Sequence, residues 1–434
     1  MKKALVHINL STFSRMLYRY LFLAIIICLS LGQLTRIQLT SQISFYFHDL
    51  LLSFFLLLFI VANCKTFFIA FKNSLTKYAE YKKYIFLFLF IITIVITSWL
   101  LNPVFSTTAI LYALRFFAYS IFIFAVYYLR LFTNQEFKQI LFAFFITFTL
   151  FGFLQYFFLP DTRFLENLGW DDHIYRLLGT WFDPAFTGLC LVFAMIYAYY
   201  HFPNKASSFK SRALFSISLL LEFIALILTY SRASFLALLI VGAIIFLTNS
   251  VFTKKLNPKF FSRLGFLLFG IGLGIASLFY IYRQFPSDST NLLRTNSIVI
   301  RWEMLQTQLS SLSTKDWLIG RGFFVPLAPN NSICTDSSTS SACILPASKQ
   351  TAAFPDNFFI LLLSFFGLPL AILLIYYLSR FLKYCWKNNQ PIFYLSLALL
   401  VNAQFNQSVF QPFVYLLFGL LCVYFWDRKK PSHR

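Results

Sequence analysis

Apolar runs long enough to cross a lipid bilayer recur along the whole chain. A helical span needs about 20 apolar residues, because the helix rises about 1.5 Å per residue through a hydrocarbon core about 30 Å thick. The pattern predicts an all-α, polytopic integral membrane protein, a single transmembrane domain over residues 1–434 with about 12 transmembrane helices. The predicted spans are 17–33, 44–64, 84–101, 108–130, 137–159, 183–201, 212–230, 232–250, 263–282, 357–379, 391–407 and 409–426.

Two features leave the helix count open. The basic N-terminus and the apolar run after it are also typical of a cleaved signal peptide, but Ser30-Leu31-Gly32 is a poor cleavage site, so a retained first helix is favoured. Almost no polar sequence separates the two runs that flank Ser231 and Arg232. If those runs formed one long helix, the parity of the count would change.

Composition supports a lipid environment. Hydrophobic residues make up 59% of the chain and charged residues 12%, whereas a soluble domain carries about 25% charged residues. So large an apolar fraction cannot be buried in one water-soluble core, so the bilayer must solvate most of the helix surface. The lipid bilayer is therefore the first predicted partner.

The basic residues are concentrated in the loops on one predicted side of the membrane. The chain has 36 Lys and Arg against 15 Asp and Glu, for a net charge of +21. If the N-terminus is cytoplasmic, every short loop on that side is basic, and the positive-inside rule then predicts that both termini are cytoplasmic. Because topology explains the positive charge, no nucleic-acid partner is needed.

Two segments stand out on the predicted outer side, a smaller loop at 160–182 and a large loop at 283–356, and the second is too long for a connector. Long loops within compact domains are usually functional. Inside the large loop, apolar residues recur at steps of three and four, which predicts an amphipathic helix on the membrane surface with Trp302 as its anchor. The residues of this stripe are Ile298, Trp302, Leu305, Leu309 and Leu312.

The large loop also carries candidate binding and structural residues. Arg294 and Arg301 are seven residues apart and share one helix face, which is either a binding surface or a solvated basic edge. Cys334 and Cys343 flank a Ser/Thr-rich turn, and an oxidising compartment would permit a structural disulfide between them.

Two further arginines are candidates for chemistry at the outer surface. Arg232 either extends to the interface as a snorkelling side chain or grips a lipid-linked phosphate, for which its planar, permanently charged fork is suited. Arg176 lies just before Asp183-Pro184, where Asp183 is expected to cap a helix with Pro184 in its first turn. The spacing does not decide whether Arg176 points into a site.

Asp356 stands where the large loop re-enters the membrane. It is either a helix N-cap or a general base that accepts a hydroxyl proton, and both roles are compatible. Within the membrane, Arg115 could pair with Glu222 or with Asp49, as a functional or a structural group. The inner loops carry no nucleotide-binding or metal-ligand motif, so we expect no cofactor, no metal and no cytoplasmic nucleotide chemistry.

The order of several short motifs over residues 170–380 resembles the O-antigen ligase and O-antigen polymerase superfamily. Arg176-Leu-Leu-Gly-Thr-Trp precedes a helix, and Thr229-Tyr-Ser-Arg joins two helices. The large loop opens with Arg301-Trp302 and continues to Leu318-Ile-Gly-Arg-Gly-Phe. It closes at Asp356-Asn357, before a helix that carries Phe366-Gly-Leu-Pro.

The resemblance implies a metal-independent glycosyltransferase of surface-polysaccharide assembly that faces the periplasm from a bacterial inner membrane. Its donor would be a glycan on undecaprenyl diphosphate, and its acceptor a second glycan or lipid A-core. Cationic groups stabilise a leaving diphosphate, so the implied ligands are Arg232 and Arg301, with Arg176, Arg294 and Arg321 as further binding candidates. Asp356 would be the base, and a chain-length regulator is a possible further partner.

Three alternatives remain open from the sequence. Ligases of this superfamily usually place His where this chain has Asp356, which favours the polymerase over a ligase that joins glycan to lipid A-core. A flippase or transporter of lipid-linked oligosaccharide fits a dozen helices, but the chain shows no internal repeat and its long loops lie on one side. A membrane scaffold without chemistry would leave the outer arginines unexplained.

Overall fold

A computed structural model describes residues 12–39, 44–77, 107–168, 173–202, 208–253, 283, 296–325 and 355–427. These residues are mostly helical, as the apolar pattern predicts. The helices are α1 Thr12–Leu31, α2 Phe47–Lys77, α3 Thr107–Leu129, α4 Asn134–Phe158, α5 Pro184–His201, α6 Phe209–Leu228, α7 Arg232–Thr253, α8 Asn296–Ser310, α9 Thr314–Ile319, α10 Phe358–Asn388, α11 Gln390–Asn402 and α12 Pro412–Asp427.

Six helices of the described chain are long and apolar enough to cross a membrane, and they lie in α1, α3, α4, α5, α6 and α10. Shorter apolar stretches lie in α2, α7, α11 and α12. The chain is therefore a helical membrane protein. The predicted spans 84–101 and 263–282 lie outside the described residues, and the count of about 12 and the orientation stay predictions.

The turn at Ser231 and Arg232 separates two helices, as predicted. Helix α6 ends at Leu228, and α7 begins at Arg232. Between them Tyr230 adopts a left-handed backbone with φ of 52°, which reverses the chain within three residues.

Two predicted boundaries differ from the structure. Helix α2 continues to Lys77, well past the predicted end at residue 64. The last two runs were predicted to meet near residue 408, but α11 ends at Asn402 and α12 begins at Pro412. Amide and hydroxyl side chains in this stretch hydrogen-bond in turn conformations, and Pro starts the next helix, so a polar loop of residues 403–411 separates the two helices.

The all-α prediction missed one small element. Strands β1 Arg36–Gln38 and β2 Ser44–Tyr46 form an antiparallel pair in which Ile37 lies opposite Phe45. β-branched and aromatic residues favour such pairing, but three residues are too few for alternation to be recognised in a chain this apolar. The pair leads directly into α2.

Helix α5 is the centre of the bundle. In the 18-residue apolar stretch of α5, 72% of the residues are buried, against 28% in the corresponding stretch of α6. Its residues Leu189–Phe193 are all buried in succession, so protein surrounds the helix on every side. Gly188 allows close packing of α7, because a Cβ atom there would lie 2.5 Å from the Ser234 hydroxyl oxygen.

Helix α9 packs against a kink in α10. Gly367 has a φ of 71° inside α10, and Pro369 follows it. A Cβ atom on Gly367 would lie 2.5 Å from the carbonyl oxygen of Leu318, and one on Gly320 would lie 2.6 Å from the backbone of Phe365. The two glycine-containing motifs of the resemblance therefore form one close backbone contact, which attaches the outer-loop helices to the membrane helix.

The predicted amphipathic helix is present as α8. Trp302 is 60% exposed and Val299 is 51% exposed, whereas Leu312, just beyond the helix, packs against Leu363 of α10. The contact of Trp302 with a membrane surface stays a prediction.

Candidate functional site

One end of the bundle, which we call the loop end, collects most of the sequence-predicted site residues. It comprises the β1–β2 pair, the α4–α5 loop, the α6–α7 turn, α8 with α9, and the α11–α12 loop. Hydrogen bonds join these segments: Leu177 N–H donates to Leu228 O at 2.9 Å, and Phe358 N–H donates to Ala403 O at 2.9 Å. These bonds join the α4–α5 loop to the end of α6, and the start of α10 to the α11–α12 loop.

The last part of the α4–α5 loop, residues 176–181, is buried. Trp181 is fully buried, and its indole N–H donates to Leu29 O at 3.1 Å. Gln155 of α4 accepts hydrogen bonds from the N–H groups of Leu178 and Gly179 at 2.8 and 3.2 Å. The Gly-Thr-Trp part of the motif thus ties α1, α4 and α5 together.

Asp183 is the N-cap of α5, as predicted. Its Oδ1 accepts from the N–H groups of Ala185 at 2.7 Å and Phe186 at 3.0 Å, and Pro184 occupies the first turn. The carboxylate satisfies donors that the helix cannot pair internally. Its role is structural.

Arg176 is buried and holds the α6–α7 turn. Only 4% of the residue is exposed. Its Nε donates to Thr229 O at 3.0 Å, and its Nη2 donates to Tyr230 O at 3.4 Å. These carbonyl groups stand immediately before Ser231 and Arg232, so Arg176 fixes the turn from which Arg232 extends.

Arg232 and Arg301 come together at the loop end. The two side chains are near enough for the positive charge of one to act on the other. Arg232 is half-buried at the start of α7, and Arg301 lies exposed on α8. Like charges repel each other, and a negative charge beside Arg301 is supplied by Asp356.

Asp356 lies at the same place. Its Oδ2 forms an ion pair with Nε of Arg301 at 3.4 Å, with the two side chains 39% and 45% exposed. The N-cap of α10 is Asn357, whose side chain accepts from the N–H groups of Phe359 and Ile360. The interpretation of Asp356 as that N-cap is therefore wrong, because the helix starts one residue later than that role requires.

Arg321 has a local structural role in the described chain. Its Nε donates to Asp316 Oδ2 at 3.1 Å, and its Nη2 donates to Ser311 O. Burial raises the pKa of Asp316, but hydrogen bonds from Ser313 and from Arg321 outweigh that effect and lower the pKa below its ordinary value. Since its guanidinium is held between α8 and α9, Arg321 is a weaker candidate for a ligand than Arg301.

Three predicted residues lie outside the described ranges: Arg294, Cys334 and Cys343. The binding role of Arg294 and the proposed disulfide stay predictions. Within the described ranges, no three His, Cys, Asp or Glu side chains are grouped as metal ligands. The expectation of metal-independent chemistry also stays a prediction.

The structure resolves the choice of partner for Arg115. Its Nη2 lies 3.0 Å from Asp49 Oδ2, and Asp49 Oδ1 accepts from the Tyr119 hydroxyl at 2.5 Å. Glu222 instead accepts from Ser218 within α6. Arg115, Asp49 and Tyr119 therefore form one buried network between α2 and α3.

A second polar network was missed from the sequence. Ser231 and Ser234 are joined at 2.8 Å, and Asn402 Nδ2 donates to Ser234 Oγ at 3.1 Å. Ser408 Oγ donates to Asn402 Oδ1 at 2.5 Å and also to Asn406 Oδ1. The network connects the first turn of α7 to the α11–α12 loop, and the cluster of Asn, Gln and Ser between two apolar runs was its signal.

Comparison with known proteins adds no assignment, since no protein-family model matches the sequence and no curated protein matches it.

Proposed function

We propose that this membrane protein is a glycosyltransferase of surface-polysaccharide assembly, of the O-antigen polymerase or ligase type, with the polymerase favoured. In this proposal the chain lies in a bacterial inner membrane and its loop end faces the periplasm. The donor is a glycan on undecaprenyl diphosphate, and the acceptor is a hydroxyl group of a second glycan.

The observation that carries the proposal is the ion pair of Arg301 with Asp356 in the neighbourhood of Arg232. Repulsion between the two cations is relieved by an anion beside them, and Asp356 already lies beside Arg301. The two cations come from different elements, the start of α7 and the middle of α8. A diphosphate supplies several oxygens for two planar forks, so it matches this pair better than a single carboxylate does.

The carboxylate of Asp356 supplies the second requirement of the reaction. In the proposed step, the acceptor oxygen attacks the anomeric carbon and the bond between that carbon and the diphosphate oxygen breaks. The bonding electron pair leaves with the lipid diphosphate, which Arg232 and Arg301 stabilise. The hydroxyl proton passes to Asp356, which acts as general base.

The supporting elements hold these three side chains at one site. Arg176 fixes the turn before Arg232, and Asn357 caps the helix that follows Asp356. Helix α8 brings Arg301 to both of them. In this proposal Arg232, Arg301 and Asp356 face the substrate, and Arg176 and Asn357 position them.

A gene-deletion strain tests the proposal at the level of the cell. We expect lipopolysaccharide with a core that carries a single repeat unit when the gene is deleted, and long chains again when it is restored. Bare core together with long chains on the lipid carrier would indicate the ligase instead. Repeat units that never reach the periplasm would indicate a flippase and contradict the proposal.

A further inference from the structure

A cavity of about 220 Å³ lies between α2 and α3, apart from the Arg232–Arg301 pair. Its polar wall contains Asp49, Arg115, Tyr119, Ser44 and Ser53. The other described lining residues are aliphatic and aromatic and include Phe45, Leu52, Leu111 and Tyr112. A cavity of this size has room for one small ring, since pockets for larger ligands start at about 300 Å³.

The described residues of the wall carry no net charge. Asp49 and Arg115 neutralise each other at 3.0 Å. Both Asp49 oxygens already accept hydrogen bonds, Oδ1 from the Tyr119 hydroxyl at 2.5 Å and Oδ2 from Tyr46 N–H at 3.0 Å. A charged ligand would therefore leave an uncompensated charge in a half-apolar cavity, which is costly.

The same wall offers hydrogen-bond donors. Nη2 of Arg115 is used by Asp49 and by Ser44 O at 2.9 Å. The N–H groups on Nε and Nη1 have no acceptor among the described residues, although the side chain is 14% exposed. A guanidinium has five N–H donors in a fixed geometry, so three donors of Arg115 are without an acceptor in the described part of the chain. Ser53 adds a hydroxyl group to the lining.

Aromatic rings complete the site. The guanidinium carbon of Arg115 lies 5.9 Å from the centroid of the Phe45 ring and 5.7 Å from that of Tyr112. Tyr112 also stacks on Phe324, which follows α9. The rings therefore form a wall continuous with the loop end that carries Arg301 and Asp356.

We propose that this cavity binds one neutral sugar ring of the glycan substrate, a subsite separate from the diphosphate-binding arginines. A pyranose has the required chemistry: hydroxyl oxygens that accept from Arg115 and Ser53, C–H faces that pack on Phe45 and Tyr112, and no charge. The choice of a sugar as ligand rests on the proposed function. The site itself rests on the cavity and its donors.

Sugar binding to the purified full chain in detergent tests the subsite. The probe is a panel of methyl glycosides of neutral hexoses and N-acetylhexosamines, measured by titration calorimetry without any lipid-linked donor. Ser53→Phe fills the cavity from α2, and Ala118→Leu fills it from α3. Val61→Phe is the matched control, because Val61 is 73% exposed on the same helix and does not line the cavity.

We expect at least one glycoside to bind the wild type and Val61→Phe with the same Kd. Either folded filling variant should weaken that binding at least tenfold. The subsite is disproved if no glycoside binds, if both filling variants bind like the wild type, or if a methyl glycoside of a hexuronic acid binds more tightly than every neutral one. Since no donor is present, these outcomes are independent of diphosphate release at Arg232 and Arg301.

Discussion

Arg301 and Asp356 lie 55 residues apart in the chain and form an ion pair at 3.4 Å that joins α8 to the start of α10. The two side chains are 45% and 39% exposed, and exposed pairs of this kind contribute about 0–1 kcal/mol. So weak a contact can be exchanged for a stronger one. In the proposed mechanism, a diphosphate that binds Arg301 releases the Asp356 carboxylate to accept a proton.

Substitution of Asp356 by Asn should remove the base and preserve the shape of the site. We expect transfer to fall roughly 10²–10⁴-fold, the usual contribution of general-base catalysis, with donor affinity unchanged or higher because Arg301 loses its competing carboxylate. Asp161→Asn is the matched control, since Asp161 pairs with Arg163 at the same end of the bundle. Equal transfer rates for the two variants would exclude Asp356 as the base.

Substitution of Arg232 by Lys tests the need for a planar fork. The charge remains, but the bidentate hydrogen bonding to phosphate oxygens is lost. We expect a loss of roughly 10²–10³-fold in turnover, comparable to the removal of one group that stabilises a developing anion. Arg163→Lys should have full activity, because Arg163 is 60% exposed and contacts Asp161. Wild-type polysaccharide in cells that carry Arg232→Ala would refute the role.

Arg176 should affect stability as well as activity. Arg176→Ala removes donors from the carbonyl groups of Thr229 and Tyr230, and bonds from charged donors contribute about 1.5–3 kcal/mol. We expect a lower unfolding temperature in detergent together with lower turnover, and partial recovery of both in Arg176→Lys. A folded Arg176→Ala protein of unchanged stability that binds donor more weakly would instead show direct contact with substrate.

The sequence predicted the positions of helices and turns better than it predicted the contacts of individual side chains. Apolar runs mark the helices because bilayer thickness fixes their length, and the turn before Arg232 and the cap at Asp183 follow from local chemistry. The partners of Arg176 and Arg321 were not predictable. They depend on backbone carbonyl groups brought close by tertiary packing, which no local pattern encodes.

The α11–α12 loop is a second place where the sequence did not predict the partners of polar side chains. The predicted spans include its amide and hydroxyl residues, because Phe and Val stand among them and long apolar stretches lie on both sides. In the fold, Asn402 and Ser408 bond to each other, and Asn402 also bonds to Ser234 of α7. A buried polar group needs a partner, so a cluster of amides between two spans predicts a network, although the identity of the partners requires the structure.

The contact between α9 and the kink of α10 should be intolerant of a methyl group. At Gly320, φ is 79° and a Cβ atom would lie 2.6 Å from the Phe365 backbone, so Gly320→Ala should cost about 1–3 kcal/mol of strain or displace α9. Gly242→Ala is the control, because nothing lies within 4 Å of that Cβ position. The Gly242→Ala substitution should stabilise α7 by about 0.5–1 kcal/mol. Equal unfolding temperatures for the two variants would contradict this contact.

Release of undecaprenyl diphosphate by the purified full chain tests the central claim most directly. The protein is given undecaprenyl-diphosphate-linked repeat units, with and without lipid A-core, and lipid product and glycan length are measured together. We predict one lipid diphosphate released for each glycosidic bond formed, without any requirement for lipid A-core, and loss of both products in Arg301→Ala. If folded wild-type protein releases no lipid diphosphate in either mixture, or if Arg301→Ala releases it at the wild-type rate, the site is not a glycosyltransferase centre of the kind proposed.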